Sequence, residues 1–178
     1  MIPHRAWLAV GVLGLLVSVS PAQRRHDPLT SSEADQLREQ AQEADLRLKL
    51  FVQFARQRLE TIDKTRSDPK VADRGTATRD GLQDFLDVYD EMNDNVDSFE
   101  DQKADFRKAL KLIIEADVEF QAKLRALQAS PNSNASEVKV YEFLLQTALD
   151  AVDSSVKDHR ELLAEQEEAA KHKKKANR

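Results

Sequence analysis

An all-α fold, an antiparallel bundle of three to four long amphipathic helices, is the architecture this chain predicts, and three observations carry the prediction. Apolar residues recur at alternating spacings of three and four through most of its length, which gathers them into one stripe per helix. Helix breakers are sparse: beyond residue 22 the prolines are Pro28, Pro69 and Pro131, and the glycines are Gly75 and Gly81. No stretch of strand length alternates apolar with polar residues. Stripes of this kind must be hidden against one another, which a bundle does within one chain. The sustained heptad spacing also permits an extended coiled coil that completes its core as a homodimer.

The first segment, MIPHRAWLAVGVLGLLVSVSPAQ, combines a positive Arg5, an apolar run over residues 6–19 and a small-residue exit at Ser20-Pro21-Ala22. That is the pattern of a secretory signal peptide, and the run falls short of the roughly 20 residues that span a bilayer. We expect residues 1–22 to be removed, residues 23–30 to form a flexible start, and the product to be exported to a periplasmic or extracellular location. Removal takes away Arg5 and no acid, so the net charge moves from −5 to −6. So acidic a chain is a poor partner for nucleic acid. Oxidising compartments favour disulfides in small domains, yet the chain has no cysteine, so packing alone must hold it together.

In Asp27–Gln36, Thr30 followed three residues later by Glu33 reads as a capping box, which starts a helix near Ser31. Leu37, Ala41, Ala44, Leu48, Phe51, Ala55, Leu59 and Ile62 then keep one face to about Arg66. Asp45 is a plausible second N-cap for a local break near Gln42, although the stripe passes through in register. Residues 65–81, TRSDPKVADRGTATRDG, read as a loop with at most a short helical turn. A second stripe follows at Leu82, Phe85, Tyr89, Met92, Val96 and Phe99.

Within that stripe, YDEMNDNVDSFED crowds six carboxylates around Met92, Val96 and Phe99. A calcium loop aligned from Asn93 would need glycine where Ser98 stands and a bidentate glutamate where Ala104 stands. The motif therefore fails, and the acids are expected to form the solvated flank of a helix. Weak helix formers at 93–98 and acids that suit a helix N-terminus place a tight connection between Asp97 and Asp105. One very long helix is the alternative. The next helix buries Phe106, Leu110, Ile113, Ala116, Phe120, Leu124 and Leu127 and ends near Gln128. After ASPNSNAS, Asn134 with Glu137 resembles a further capping box, and Val138, Tyr141, Leu145, Ala148, Val152, His159 and Leu163 line a final helix. The bundle is expected over residues 31–168, with a basic tail at 169–178.

Groups for catalysis are few. His26, His159 and His172 are the histidines beyond residue 22, and only His159 falls within the expected bundle. A carboxylate-bridged dimetal site needs Glu-x-x-His twice, but Val156 stands three residues before His159. Neither a glycine-rich phosphate loop nor a Ser-His-Asp arrangement is visible. No cofactor or metal is expected, and the chain reads as a non-enzyme. Asp117 and His159 are the candidate polar pair of the last two helices, with a half-exposed His159 at the bundle edge as the plainer expectation. Tyr89 and Tyr141 are expected in the core. Lys171, Lys173, Lys174 and Lys175 either offset the last helix's dipole and fray into water or make a weak contact with an anionic membrane or polymer.

LTSSE, residues 29–33, resembles the LTxxQ motif of the Spy and CpxP group of periplasmic helical chaperones, with Glu33 in place of the glutamine and no second copy. That resemblance implies an exported helical chaperone or stress protein. The residues themselves point to a structural or interaction protein of the bacterial cell envelope, acting through an envelope protein partner.

Overall fold

Hydrophobic periodicity and helix-stop chemistry produce five helices in the computed structural model, which describes residues 27–130 and 134–176. The expected signal peptide and residues 23–26 lie outside the described residues. The helices are α1 (Ser31–Glu39), α2 (Ala44–Ser67), α3 (Arg74–Asp101), α4 (Arg107–Gln128) and α5 (Ala135–Ala176). Among the described residues there is no strand. The expected all-α bundle is therefore the fold, with four long helices and α1 as a short prefix.

The long helices form a square in which α2 packs on α3 and α4, and α5 packs on α3 and α4. Side-chain pairs fix their directions. Arg47 at the start of α2 bonds Asn95 near the end of α3, and Arg66 at the end of α2 bonds Thr78 near the start of α3, so this pair is antiparallel. Asp117–His159 and Lys111–Glu167 make α4 and α5 antiparallel as well. Across the other two sides the helices run parallel: Asp45 meets Ala109 and Asp63 meets Lys123 between α2 and α4. Asn93 meets Ser155 and Ala104 meets Gln166 between α3 and α5. This follows from the connection over residues 102–106, which crosses the diagonal from α3 to α4 instead of joining neighbours.

One apolar cluster fills the square, and Leu48, Phe85, Tyr89, Phe106, Leu110, Ile113, Phe120 and Leu124 are among its fully buried members. Phe85, Tyr89 and Phe120 meet at ring-centroid distances of 5.5 to 6.2 Å, one pair stacked and two edge-on.

Three expectations change. Residues 74–81 are helix, not loop. Asp73 caps α3 by accepting from the Thr76 N–H at 3.0 Å, and the two glycines mark close helix crossings. A Cβ at Gly81 would lie 2.7 Å from Cγ1 of Ile62, and one at Gly75 3.2 Å from the Glu137 carbonyl oxygen. The first helix is interrupted at residues 40–43, which leaves α1 packed against α2 alone. Asp45 does not cap α2. The residue before α2 is Glu43, which makes no side-chain cap bond, while the Asp45 carboxylate accepts from the Ala109 N–H at 3.0 Å and so caps the first turn of α4.

The connection between Asp97 and Asp105 is present. α3 closes with paired reverse bonds, Lys103 N–H to Glu100 O at 2.8 Å and Ala104 N–H to Phe99 O at 3.0 Å. That is the Schellman geometry, and it places Lys103 at φ 55°, where glycine is usual.

Candidate functional site: a buried polar seam

Polar side chains in a helical core must find partners, because an unsatisfied buried donor or acceptor costs about 1–3 kcal/mol. In this bundle α3, α4 and α5 bring the buried Tyr89, Asp117 and His159 into one line with the half-buried Asn93 and Ser155. Tyr89 and Asn93 are one turn apart on α3, Ser155 and His159 one turn apart on α5, and Asp117 lies on α4. Tyr89 donates its hydroxyl to Oδ1 of Asp117 at 2.8 Å, and Nδ1 of His159 lies 2.8 Å from Oδ2. Asn93 donates to the Ser155 hydroxyl at 3.1 Å, while its Oδ1 is buried without a partner. Asp117 and Tyr89 are fully buried and His159 is 4% exposed. The expectation of a half-exposed His159 is thus corrected: Asp117 gives its ring an internal acceptor, so burial leaves Nδ1 satisfied.

The Tyr89–Asp117 bond joins α3 to α4 across the diagonal of the square, where no backbone contact exists. An ionised carboxylate offers acceptors only, so Nδ1 is the protonated nitrogen of His159. Burial pushes the Tyr89 phenol far above its ordinary range, the Asp117 carboxylate beside it adds to the shift, and the Ser155 hydroxyl opposes it. Tyr89 therefore remains a neutral donor.

Cavities of 280 to 410 Å³ open at the ends and flank of the bundle. Their walls do not include Tyr89, Asp117, Ser155 or His159. Among the described residues no three carboxylate or imidazole groups gather as a metal would require. The acidic stretch lies along the solvent side of α3, with Asp90, Glu91, Asp94, Asp97, Glu100 and Asp101 all exposed. Desolvation, then the like charges of Asp87 and Asp94, push the Asp90 carboxyl up, as carboxylates that share one flank of a helix do.

Two further clusters staple the outside. Glu33 closes its capping box with Thr30 at 2.8 and 3.2 Å and also receives Arg58 in two bonds, at 2.9 and 2.7 Å. Burial pushes this carboxyl up, but Arg58 and the Thr30 donors outweigh it and hold Glu33 below its usual value. Arg56 grips Glu119 bidentately between α2 and α4. Lys173, Lys174 and Lys175 stand exposed on the last turns of α5, and Lys171 pairs with Glu168 at 3.2 Å.

Comparison with known protein families, characterised proteins and solved structures finds no match. What this chain does must be argued from its own residues.

Sequence reasoning named Asp117 and His159 and placed Tyr89 in the core, but it missed Asn93 and Ser155 as members of the seam. The available signal was their i, i+4 spacing from Tyr89 and His159 on the same helix faces.

Proposed function

We propose that this chain is a non-enzymatic, exported helical-bundle protein with a structural or protein-interaction role in the bacterial cell envelope. The observation that carries this reading is the enclosure of the polar seam. Asp117 and His159 bond to each other inside the core, Ser155 lies half-buried beside them, and none of the three lines a cavity described above. Such an arrangement favours a role in orienting helices over one in handling substrate. Export is supported by the first 22 residues, and their pattern makes the envelope or its surroundings the working place.

The chaperone reading has less support. Among the described residues the exposed large apolar side chains are Leu46, Val118, Val140 and Phe143, on α2, α4 and α5, and of these only Val140 and Phe143 lie one turn apart on one helix, less than the broad patch that favours client binding. Glu33, the position at which LTSSE departs from the chaperone motif, is engaged internally with Arg58.

Fractionation of cells producing the tagged chain, with intact-mass measurement and crosslinking of the exported pool, tests the proposal. A mass beginning at Gln23, absence of the Trp7 indole and a reproducible envelope protein partner are expected. A cytoplasmic product retaining residues 1–22 would overturn the export reading. Loss of an enzymatic turnover in His159→Ala with the fold intact would overturn the non-enzymatic one.

A further inference from the structure

We infer that the tip of α5 is an electrostatic foot that docks the bundle end-on against an anionic phospholipid surface. The inference goes beyond the role proposed above and does not depend on it.

Three observations lead to it. The first is length: α5 has 42 residues against 28 for α3 and 22 for α4. Its last bonds to the bundle are Gln166 to the Ala104–Phe106 turn and Glu167 to Lys111. Beyond Ala170 every described side chain is exposed, and Lys173 lines, with Glu100 and Asp105, the cavity at the α3–α4 corner.

The second observation is charge. Residues 171–178 hold five cations and no acid. The last carboxylate, Glu168, is already met by Lys171 and His172. From Glu168 to Lys175 the helix rises by about 10 Å, somewhat more than the Debye length of about 8 Å at physiological salt. Lys174 and Lys175 therefore stand about a Debye length or more beyond the last carboxylate of α5, while Lys171 is paired with Glu168.

The third observation is the kind of cation and its placement. At 3.6 residues per turn Lys171, Lys173, Lys174 and Lys175 cover about 200° of the helix and His172 stands in the remaining sector, which leaves no broad apolar face to insert. They are lysines, compact hydrated charges without the fork with which arginine reads a defined protein site. A diffuse anionic sheet of headgroups satisfies such a tip without a defined register, whereas a protein interface is anchored largely by aromatic residues, and residues 171–178 contain none.

The test is co-sedimentation of the full chain with phosphatidylglycerol-rich vesicles and with pure phosphatidylcholine vesicles over a range of salt. Binding to the anionic vesicles alone, weakening as salt rises, is expected. Changing Lys171, Lys173, Lys174 and Lys175 together to glutamine should lower partitioning roughly fivefold per lysine, several hundredfold in all. The same number of changes on the flanks, Lys49, Lys64, Lys139 and Lys157 to glutamine, should leave most of the binding. A tip variant carrying four arginines should bind like the parent, which separates charge from any effect on helix stability.

Equal binding to neutral vesicles would overturn the inference, because the apolar run near the N-terminus is then the membrane contact. So would anionic binding that the tip variant retains. Capture by polyglutamate with none by anionic vesicles at the same salt would assign the tip to an acidic polymer and overturn it too.

Discussion

Replacing Asp117 by alanine removes the one acceptor that two buried donors share. Tyr89 O–H and His159 Nδ1–H, both at 2.8 Å from the carboxylate, would lose their shared acceptor, with only the Ser155 hydroxyl beside Tyr89 to replace part of it. At about 1–3 kcal/mol for each orphaned group the cost sums to roughly 2–6 kcal/mol. A chain of this size loses about 2–4 °C of Tm per kcal/mol, so a fall of the order of 10 °C is expected. Tyr89→Phe takes away one donor and leaves Oδ1 short of a charge-assisted bond, costing about 1.5–3 kcal/mol. The double variant should cost less than the sum of the two, by about 0.5–3 kcal/mol, because the orphaned hydroxyl is then gone. Asp117→Asn should be milder than Asp117→Ala, since an amide retains an acceptor for Tyr89 and can donate to the other tautomer of His159. Urea unfolding followed by far-ultraviolet circular dichroism measures all four. Additive costs for Asp117→Ala and Tyr89→Phe, or an alanine cost below about 1 kcal/mol, would refute the account of the seam as a shared buried network.

Three more outcomes are expected. Lys103→Gly should stabilise the chain by roughly 0.5–1 kcal/mol, because φ 55° costs a side-chain-bearing residue about 1–2 kcal/mol and glycine gives part of that back as unfolded-state entropy; an unchanged urea midpoint would contradict the Schellman turn. The lowered Glu33 carboxyl contributes stability that is present above its unfolded value of 4.5 and is lost as pH falls through its folded value. Protection factors over residues 31–39, corrected for intrinsic exchange, should therefore fall in acid below that value, and Arg58→Gln should abolish most of the dependence; protection that does not change with acid in the parent would count against the pairing. Gly81→Ala should destabilise by about 1–3 kcal/mol through the clash with Ile62, despite alanine's better helix propensity, and should cost little in an Ile62→Ala background, where Cγ1 is gone; a simple gain in stability would mean the α2–α3 crossing is looser than described.

The sequence made the stripes legible because each core face repeats over several turns, and Leu48, Phe51, Phe85, Met92, Leu110 and Phe120 are buried where the spacing puts them. Its errors fall where a residue's role is set by another helix. Gly75 and Gly81 are loop signals to local reasoning, yet they lie inside α3, where Ile62 approaches Gly81 too closely for a side chain and Glu137 leaves Gly75 only a tight fit. Asp45 has the chemistry of a cap, but the helix it caps is α4, which begins 62 residues further on. His159 looks like an edge histidine on its own stripe, and only the register of α4 against α5 sets Asp117 beside it. Lys103 carries no turn signal at all. Its left-handed backbone is imposed by the need to close α3 and cross the diagonal within five residues.

That corner explains how unfavourable local charges are tolerated. Glu100 and Asp101 occupy the last turn of α3 and Arg107 and Lys108 the first turn of α4, each opposed to its own helix dipole. The short crossing sets the two ends together, and Asp105 binds Arg107 in two bonds of 2.8 and 2.7 Å, which holds the Asp105 carboxyl below its ordinary value. The N-terminal turn of α4 has no cap from its own sequence, since Phe106 offers none. Asp45 of α2 accepts from Ala109, and Gln166 of α5 accepts from Phe106 while donating to the Ala104 carbonyl. The corner is therefore satisfied only when α2 and α5 are both in place. An isolated α3–α4 hairpin lacks those partners, and it also lacks side-by-side packing, because its helices face each other across the diagonal. Helix ends that depend on the rest of the square couple local order to the complete bundle, and this makes folding cooperative in a chain with no disulfide to impose it.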